Sequence, residues 1–250
     1  MKAFRSLHTV VIGLAALGAA LTAPAVATAS SSVPSWTGPV PVPTCWGRTP
    51  TIVGTPGNDT IRGSTPRSDV IHGLGGNDII ILSPDYEEDA GDWVCGGTGV
   101  DYLKGSLGPD HLRGGDGRDY VDGWVGADIA EGSAGHDRVQ DCEGENGIED
   151  DILRGGPGAD VLCSQWGDDR VYAGRGNDVL NDLSCYNGTV LLRGGPGADS
   201  FDSATEDYDG GTPCGEDPER DFVYGGRGID SAVVSVRDVV RHLESVTRVK

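Results

Sequence analysis

The sequence predicts an all-β fold in which many short parallel strands stack, coil upon coil, into a solenoid. Three observations predict it: a nine-residue period, 41 glycines in 250 residues, and an acidic residue that recurs at one position of the period. Ordinary proteins contain about 7% glycine, so this surplus indicates backbone conformations that a Cβ would forbid. Tight turns repeated at a fixed period are typical of solenoids.

The repeating unit reads G-G-x-G-x-D-x-U-x, where U is a large apolar residue. Its cleanest run, residues 96–140, contains five consecutive units without insertion or deletion, and further units lie at 54–81 and 155–181. Twelve G-x-D cores in phase do not arise from composition alone. Their acids are Asp59, Asp78, Asp101, Asp110, Asp119, Asp128, Asp137, Asp160, Asp169, Asp178, Asp199 and Asp230.

Four further positions keep the acid and the apolar residue but lack the glycine. They are Asp69 with Ile71, Asp92 with Val94, Asp151 with Leu153, and Asp221 with Val223. We treat these as half-matches to the repeat and do not count their acids among the candidate ligands.

The period also predicts how the units stack. The last three residues of a unit form a short strand whose U side chain alone faces inward, because alternate side chains point to opposite faces. Six glycine-rich residues then turn the chain. Two units close one coil, so unit n stacks on unit n+2 and acids of adjacent coils come into register. The expected pairs are Asp101 with Asp119, Asp110 with Asp128, Asp119 with Asp137, Asp160 with Asp178, and, across a one-residue insertion, Asp59 with Asp78.

Two positions are expected to depart from this pairing. Val190 occupies the place of an acid, so a site there should be weak or absent. Asp199 lies between insertions and has no intact nonapeptide neighbour at the required distance, so we expect it to be isolated.

The units resemble the RTX, or haemolysin-type, calcium-binding repeat over about residues 54–233. The opening, from Cys45-Trp46-Gly47 onward, is similar to small secreted repeat proteins of actinobacteria. The resemblance implies a right-handed parallel β-roll with several calcium ions held between stacked coils. Ca²⁺ takes about six to eight oxygen ligands and accepts backbone carbonyls as well as carboxylates. The twelve Asp residues are therefore candidate ligands, and we expect folding to be linked to calcium binding.

The composition and the N-terminus indicate the compartment and the partners. Residues 1–29 read as a secretory signal peptide, with Lys2 and Arg5, an apolar stretch at 10–21 and an A-x-A site at 27–29. The mature chain is expected to start at Ser30 and to be secreted and soluble, since no later stretch is apolar enough to span a membrane. A net charge of −20 excludes nucleic acid as a natural partner and favours cations.

The expected organisation is a signal peptide (1–29), a Pro-rich leader or cap (30–53), the roll (54–233) and a C-terminal cap (234–250). Acidic insertions interrupt the roll at 83–92, 141–151 and 203–221. The terminal segment leaves two conformations open. Val236, Val239, Val240 and Leu243 keep helical spacing, whereas Val234 and Val236 alternate as in a strand.

Six cysteines in a chain with a secretory leader predict three disulfides. Fifteen connectivities are possible. Because the cysteines lie at coil edges and in or beside the insertions, the favoured pairing is Cys45–Cys95, Cys142–Cys163 and Cys185–Cys214.

No catalytic pattern accompanies the repeat, and we expect no enzymatic activity. The segments at 104–108 and 131–135 miss the first glycine of G-x-S-x-G and fall inside repeat turns. A calcium-dependent adhesin-like module is the alternative, binding a cell-surface or matrix glycan or a protein partner. Trp93, Trp124 and Trp166 would then be candidate stacking platforms, although packing against the insertions is the favoured use of these side chains. A hydrolase or lyase site grafted onto the roll is less favoured.

Overall fold

A computed structural model of the chain describes residues 43–63, 68–83, 90–141, 149–182, 188–203, 220–235 and 237–249. These residues form twenty β-strands and no helix, and the strands make two ten-stranded parallel sheets. Consecutive strands alternate between the sheets, so each coil contributes one strand to each. The predicted all-β parallel roll is confirmed.

We call the sheet of odd-numbered strands sheet A and the sheet of even-numbered strands sheet B. Sheet A consists of β1 (Ile52–Val53), β3 (Val70–Gly75), β5 (Trp93–Gly99), β7 (His111–Gly117), β9 (Ile129–Gly135), β11 (Ile152–Pro157), β13 (Arg170–Arg175), β15 (Leu191–Pro196), β17 (Phe222–Arg227) and β19 (Val239–Arg241). Sheet B consists of β2 (Thr60–Arg62), β4 (Ile79–Ile81), β6 (Tyr102–Lys104), β8 (Tyr120–Asp122), β10 (Arg138–Asp141), β12 (Val161–Ser164), β14 (Val179–Asp182), β16 (Ser200–Asp202), β18 (Ser231–Ser235) and β20 (Ser245–Val249).

The register follows the repeat. Leu103 pairs with Val121, and Val121 with Val139, each a step of two nine-residue units. In sheet A, Leu112 pairs with Ala130 by the same step. The predicted stacking of unit n on unit n+2 is therefore confirmed.

The core is a narrow double column of the apolar U side chains from the two sheets. Phe201 is the largest fully buried side chain, and small residues such as Ala130 fill the same column elsewhere. One continuous cluster runs along the roll and includes Leu103, Leu112, Val121, Ala130, Val139, Leu153, Leu162, Val171, Leu180, Leu192, Phe201 and Val223.

The turns form two edges of different regularity. The uniform edge comprises the turns from sheet A to sheet B, which end at Asp59, Asp78, Asp101, Asp119, Asp137, Asp160, Asp178, Asp199 and Asp230. Each of these acids lies seven residues after the inward residue of the preceding strand, as Asp101 does after Val94.

The interrupted edge comprises the turns from sheet B to sheet A, which end at Asp69, Asp92, Asp110, Asp128, Asp151, Asp169, Val190, Asp221 and Asp238. There the spacing is seven residues from Leu103 to Asp110 but twenty from Phe201 to Asp221. The three predicted insertions belong to this edge, and most of their residues lie outside the described ranges.

The N-terminal segment 43–50 packs on the outer face of sheet A. A disulfide joins Cys45 to Cys95, as predicted. The Arg48 guanidinium lies 3.5 Å from the centre of the Trp93 ring, and the Arg113 guanidinium lies 3.9 Å from that of Trp46. None of the described cysteines is free. The predicted pairings Cys142–Cys163 and Cys185–Cys214 involve residues outside the described ranges.

The C-terminal segment continues the roll as strands, so the helical alternative for 234–250 is wrong. The strand β18 pairs with β20 over five residues, from Ser231 with Ser245 to Ser235 with Val249. Val240 packs against the core beside Val223, its neighbour in sheet A. The described residues contain no helix long and apolar enough to cross a membrane.

Candidate metal centre

The acids of the uniform edge form a continuous ladder along the roll. The Asp119 backbone N–H donates to Oδ1 of Asp137 at 2.9 Å, and the Asp101 N–H donates to Oδ1 of Asp119 at 2.9 Å. Eight such bonds of 2.8–3.0 Å connect Asp59 through to Asp230. The Asp230 N–H then donates to Oε2 of Glu244 at 2.6 Å.

A second ladder runs along the interrupted edge. From Asp69 through Asp151, each backbone N–H donates to the acid of the following coil at 2.6–2.9 Å, and the last acceptor is Asp169. Val190 has no carboxylate and breaks the row, although its own N–H donates to Oδ1 of Asp221 at 3.0 Å. The row resumes from Asp221 to Asp238 at 3.3 Å.

From the second acid of each ladder onward, one carboxylate oxygen accepts from the main chain of the preceding coil, and in many of these acids the second oxygen has no protein donor. A buried Oδ2 without a hydrogen-bond partner occurs at Asp78, Asp101, Asp119, Asp128, Asp137, Asp160, Asp169, Asp178, Asp199 and Asp230. All ten side chains are at most 2% exposed. A buried charged oxygen left without a partner is costly, so a cation, a proton or a bound water is expected at these atoms.

Where a turn begins with glycine, the absence of a side chain leaves a space between the second carboxylate oxygen of that turn and a carbonyl oxygen of the next coil. A Cβ added to Gly114 would lie 2.5 Å from Oδ2 of Asp119 and 2.8 Å from the carbonyl oxygen of Gly132. A Cβ added to Gly155 would lie 2.5 Å from Oδ2 of Asp160 and 2.5 Å from the carbonyl oxygen of Ala173. Two acceptors converging on a space without a donor suit an oxygen-coordinated cation such as Ca²⁺.

Side chains alone do not complete such a site. Among the described residues, no group of three or more His, Cys, Asp or Glu side chains has the spacing to hold a metal ion. Any ion must therefore take main-chain carbonyls as additional ligands, and calcium is a metal that accepts them readily.

Burial gives the ladder acids unusual proton affinity in the metal-free chain. It raises the pKa of Asp119 from its ordinary 3.8 to about 7, and neighbouring acids, including Asp101 and Asp137, add to the rise. The pKa values of Asp78, Asp160 and Asp199 rise to about 6 for the same first reason. That of Asp169 rises to about 9, through burial first and then the nearby charges of Asp151, Asp182 and Asp150. A bound cation would offset this electrostatic cost.

The structure places all twelve predicted site residues in the two ladders. The five expected pairs are consecutive in them, including Asp59 with Asp78. The expectation that Asp199 is isolated is wrong, because its Oδ1 accepts from Asp178 and its N–H donates to Asp230. The intervening insertion belongs to the other edge and leaves this register intact.

Sequence reasoning left out several members of the ladders. The half-matches Asp69, Asp92, Asp151 and Asp221 all occupy ladder positions. Their signal was the acid two residues before an inward apolar residue, with no glycine required. Two terminal acids were missed altogether, Asp238 and Glu244. Asp238 also precedes an inward residue, Val240, by two positions, whereas Glu244 carries no repeat signal.

Comparison with known proteins agrees with this geometry. The RTX calcium-binding nonapeptide repeat matches the chain in four copies, over residues 51–65, 96–130 and 145–180. No curated protein matches the chain. The matched segments contain ladder acids of both edges, such as Asp101 and Asp110. The chain therefore carries RTX calcium-binding nonapeptide repeats.

Proposed function

We propose that the chain is a secreted protein whose β-roll folds around Ca²⁺ ions bound between adjacent coils. The observation that carries the proposal is the row of buried second oxygens, such as Oδ2 of Asp119, which have no donor and face a carbonyl of the next coil. In the proposal the twelve Asp residues from Asp59 to Asp230 supply carboxylates and the turns supply carbonyls. The ion would offset the charge that burial makes costly.

The proposed organisation follows the same reasoning. Residues 1–29 export the chain, 30–53 lead into the roll, 54–233 form the calcium-binding array, and 234–250 cover its last glycine-rich coil. The disulfide between Cys45 and Cys95 supports an oxidising, extracellular location. We propose no catalytic role, because an Asp committed to an ion is a poor general acid or base.

Calcium removal tests this function. Far-UV circular dichroism and the hydrodynamic radius of the secreted protein are measured in calcium and after chelation with EGTA, with the disulfides intact and after reduction. We expect chelation to remove most of the β signal and to expand the chain, most clearly when reduced. An unchanged spectrum and radius in the reduced, calcium-free protein would show that folding does not depend on calcium.

A calcium-dependent adhesin is the second candidate, and one surface feature favours it. A shallow groove of about 480 Å³ on sheet A is lined by Tyr172, Arg193, Pro157 and Pro196 among others. The Arg193 guanidinium lies 5.8 Å from the Tyr172 ring centre and 5.4 Å from that of Tyr224. Aromatic faces beside a cationic donor are a reasonable surface for a glycan.

Two of the tryptophans considered for this role, Trp93 and Trp124, fit it less well. Arg48 lies over the Trp93 ring and His111 stacks on it at 5.3 Å, so the chain itself covers that platform. Lys104 lies 5.3 Å from the Trp124 ring centre. A glycan array with and without calcium, comparing the wild type with Arg193→Ala, distinguishes the two candidates. Calcium-dependent binding that Arg193→Ala abolishes would support the adhesin.

A further inference from the structure

The first position of each turn is occupied differently on the two edges. On the uniform edge it is small at every coil from Gly54 to Gly225, with Ala173 the one residue other than glycine. On the interrupted edge, Gly123 is followed in the next coils by Asp141, Ser164 and Asp182, which pair in register. Acids therefore replace the turn glycine on one edge only.

Asp141 lies in a strongly anionic, buried environment. Its side chain is 8% exposed, and its Oδ1 has no hydrogen-bond partner. It occupies the register position that Gly123 holds one coil earlier, where an added Cβ would lie 2.6 Å from Oδ2 of that turn's own acid, Asp128. The Asp141 carboxyl group therefore lies beside that of Asp151, and the other charges acting most strongly on it are those of Asp128 and Asp169. These last two are the ladder neighbours of Asp151 on either side. All four groups are acids.

Two buried carboxylates in contact need a positive charge between them. The desolvation and repulsion of an unpaired buried charge amount to several kcal/mol per ion. A glycine here would offer a site only its carbonyl, whereas Asp141 brings a second carboxylate to the turn that ends at Asp151. Calcium sites adjust their affinity through the number of charged ligands.

We propose that Asp141 and Asp151 form a cation site of a second kind, in which a divalent cation such as Ca²⁺ is held between two carboxylates of one turn. A ladder site lies between acids of successive coils. The proposed site lies instead between the acids that begin and end one turn, the connection from β10 to β11. A cation bound to both would tie together the two ends of the 142–150 insertion. The inference rests on the proposed calcium-binding function and adds an ion to it.

Three variants of the full secreted chain test the pair. Asp141→Gly restores the ordinary turn glycine, Asp141→Asn keeps the size but removes the charge, and Ser164→Gly makes the same kind of change at an uncharged position of the column. Bound calcium is counted by equilibrium dialysis over a range of free calcium. We expect both Asp141 variants to lose one bound ion relative to wild type and Ser164→Gly to lose none.

Limited proteolysis gives a second readout. Calcium should protect the 142–150 connection from cleavage in wild type and Ser164→Gly, and protect it less in both Asp141 variants. Circular dichroism in calcium verifies that each variant is folded, and Asp141→Asn serves if Asp141→Gly is not. An Asp141→Asn protein with wild-type ion count, affinity and protection would overturn the proposal. A wild type that binds no calcium would instead overturn the proposed function.

Discussion

The two edges of the roll are made from one repeat, yet the turns have a constant length on one edge and a variable length on the other. Every turn of the uniform edge places its acid seven residues after the preceding inward residue, as from Leu112 to Asp119. On the interrupted edge the same spacing is twelve residues from Val139 to Asp151 and reaches twenty from Phe201 to Asp221. The acids on both edges nevertheless stack in register, so the added residues do not displace the ladder.

The sheet pairing explains why insertions are confined to one edge. Strands of sheet A continue into the turn: β5 and β7 pair through Gly97 with Gly115 and Gly99 with Gly117. Strands β6 and β8 of sheet B pair over three residues, the last being Lys104 with Asp122. An added residue on the uniform edge would interrupt hydrogen-bonded sheet, whereas on the interrupted edge it falls beyond the paired strand. Main-chain pairing, more than the carboxylates, decides where the chain can lengthen.

The largest expected effect comes from removing an acid with an acidic neighbour on both sides. Asp119→Ala removes a carboxylate between Asp101 and Asp137, whereas Asp221→Ala removes one whose neighbours are Val190 and Asp238. An ion held at 100 Kd stabilises by about 2.7 kcal/mol. Denaturant unfolding in calcium should therefore show a loss approaching ~5 kcal/mol for Asp119→Ala and about half that for Asp221→Ala.

Asp199→Ala provides the control for that pair of variants. Asp199 lies between Asp178 and Asp230 in the uniform ladder, so its loss should match that of Asp119→Ala. A loss as small as that of Asp221→Ala would mean that sequence insertions, and not ladder neighbours, determine the strength of a site.

A smaller effect is expected from added chain length. Inserting Gly-Ser-Gly after Asp116 on the uniform edge interrupts the pairing between β7 and β9, which includes Asp116 with Ala134. The same insertion after Val125 lies on the interrupted edge, where lengthening a loop costs only about 0.6 kcal/mol per doubling. Melting temperatures in calcium should fall substantially for the first protein and slightly for the second. Equal decreases would contradict the role assigned to main-chain pairing.

The last expected effect concerns pH in the metal-free chain. Burial raises the folded-state pKa of Asp119 to about 7 and those of Asp78, Asp160 and Asp199 to about 6, above the ordinary 3.8. The folded state therefore binds protons more tightly than the unfolded state. The stabilisation is fully present below about pH 4 and is lost as the pH rises through about 6 to 7.

Circular dichroism of the metal-depleted protein should consequently show more β structure near pH 4 than near pH 8. Asp169, whose pKa rises to about 9, extends the loss above neutral pH on the interrupted edge. Asp169→Asn should flatten that upper part of the profile and leave the lower part unchanged. A metal-free chain that becomes more ordered as the pH rises would contradict the predicted direction of the pH dependence.

The repeat predicted the fold and the ladders to the extent that its spacing was regular. The inward residues and the pairs within 96–140 follow from a period that is unbroken there. Asp199 could not be placed, because spacing alone does not reveal that the adjacent insertions leave the uniform edge intact. Asp141 was not singled out, because its significance lies in contact with Asp151, ten residues along the chain. The strand at 245–249 has no glycine to mark it, and only its pairing with β18 identifies it.

The direction of the ladder hydrogen bonds gives the roll two unlike ends. Each acid accepts from the backbone of the coil before it, as Asp137 does from Asp119, so a coil is completed only by its successor. Trimming coils from the N-terminus therefore leaves the remaining donors satisfied, while each coil removed from the C-terminus leaves a donor without its acceptor. The array therefore has a direction, as a filament with two unlike ends does, and Glu244 supplies the last acceptor at its C-terminal end.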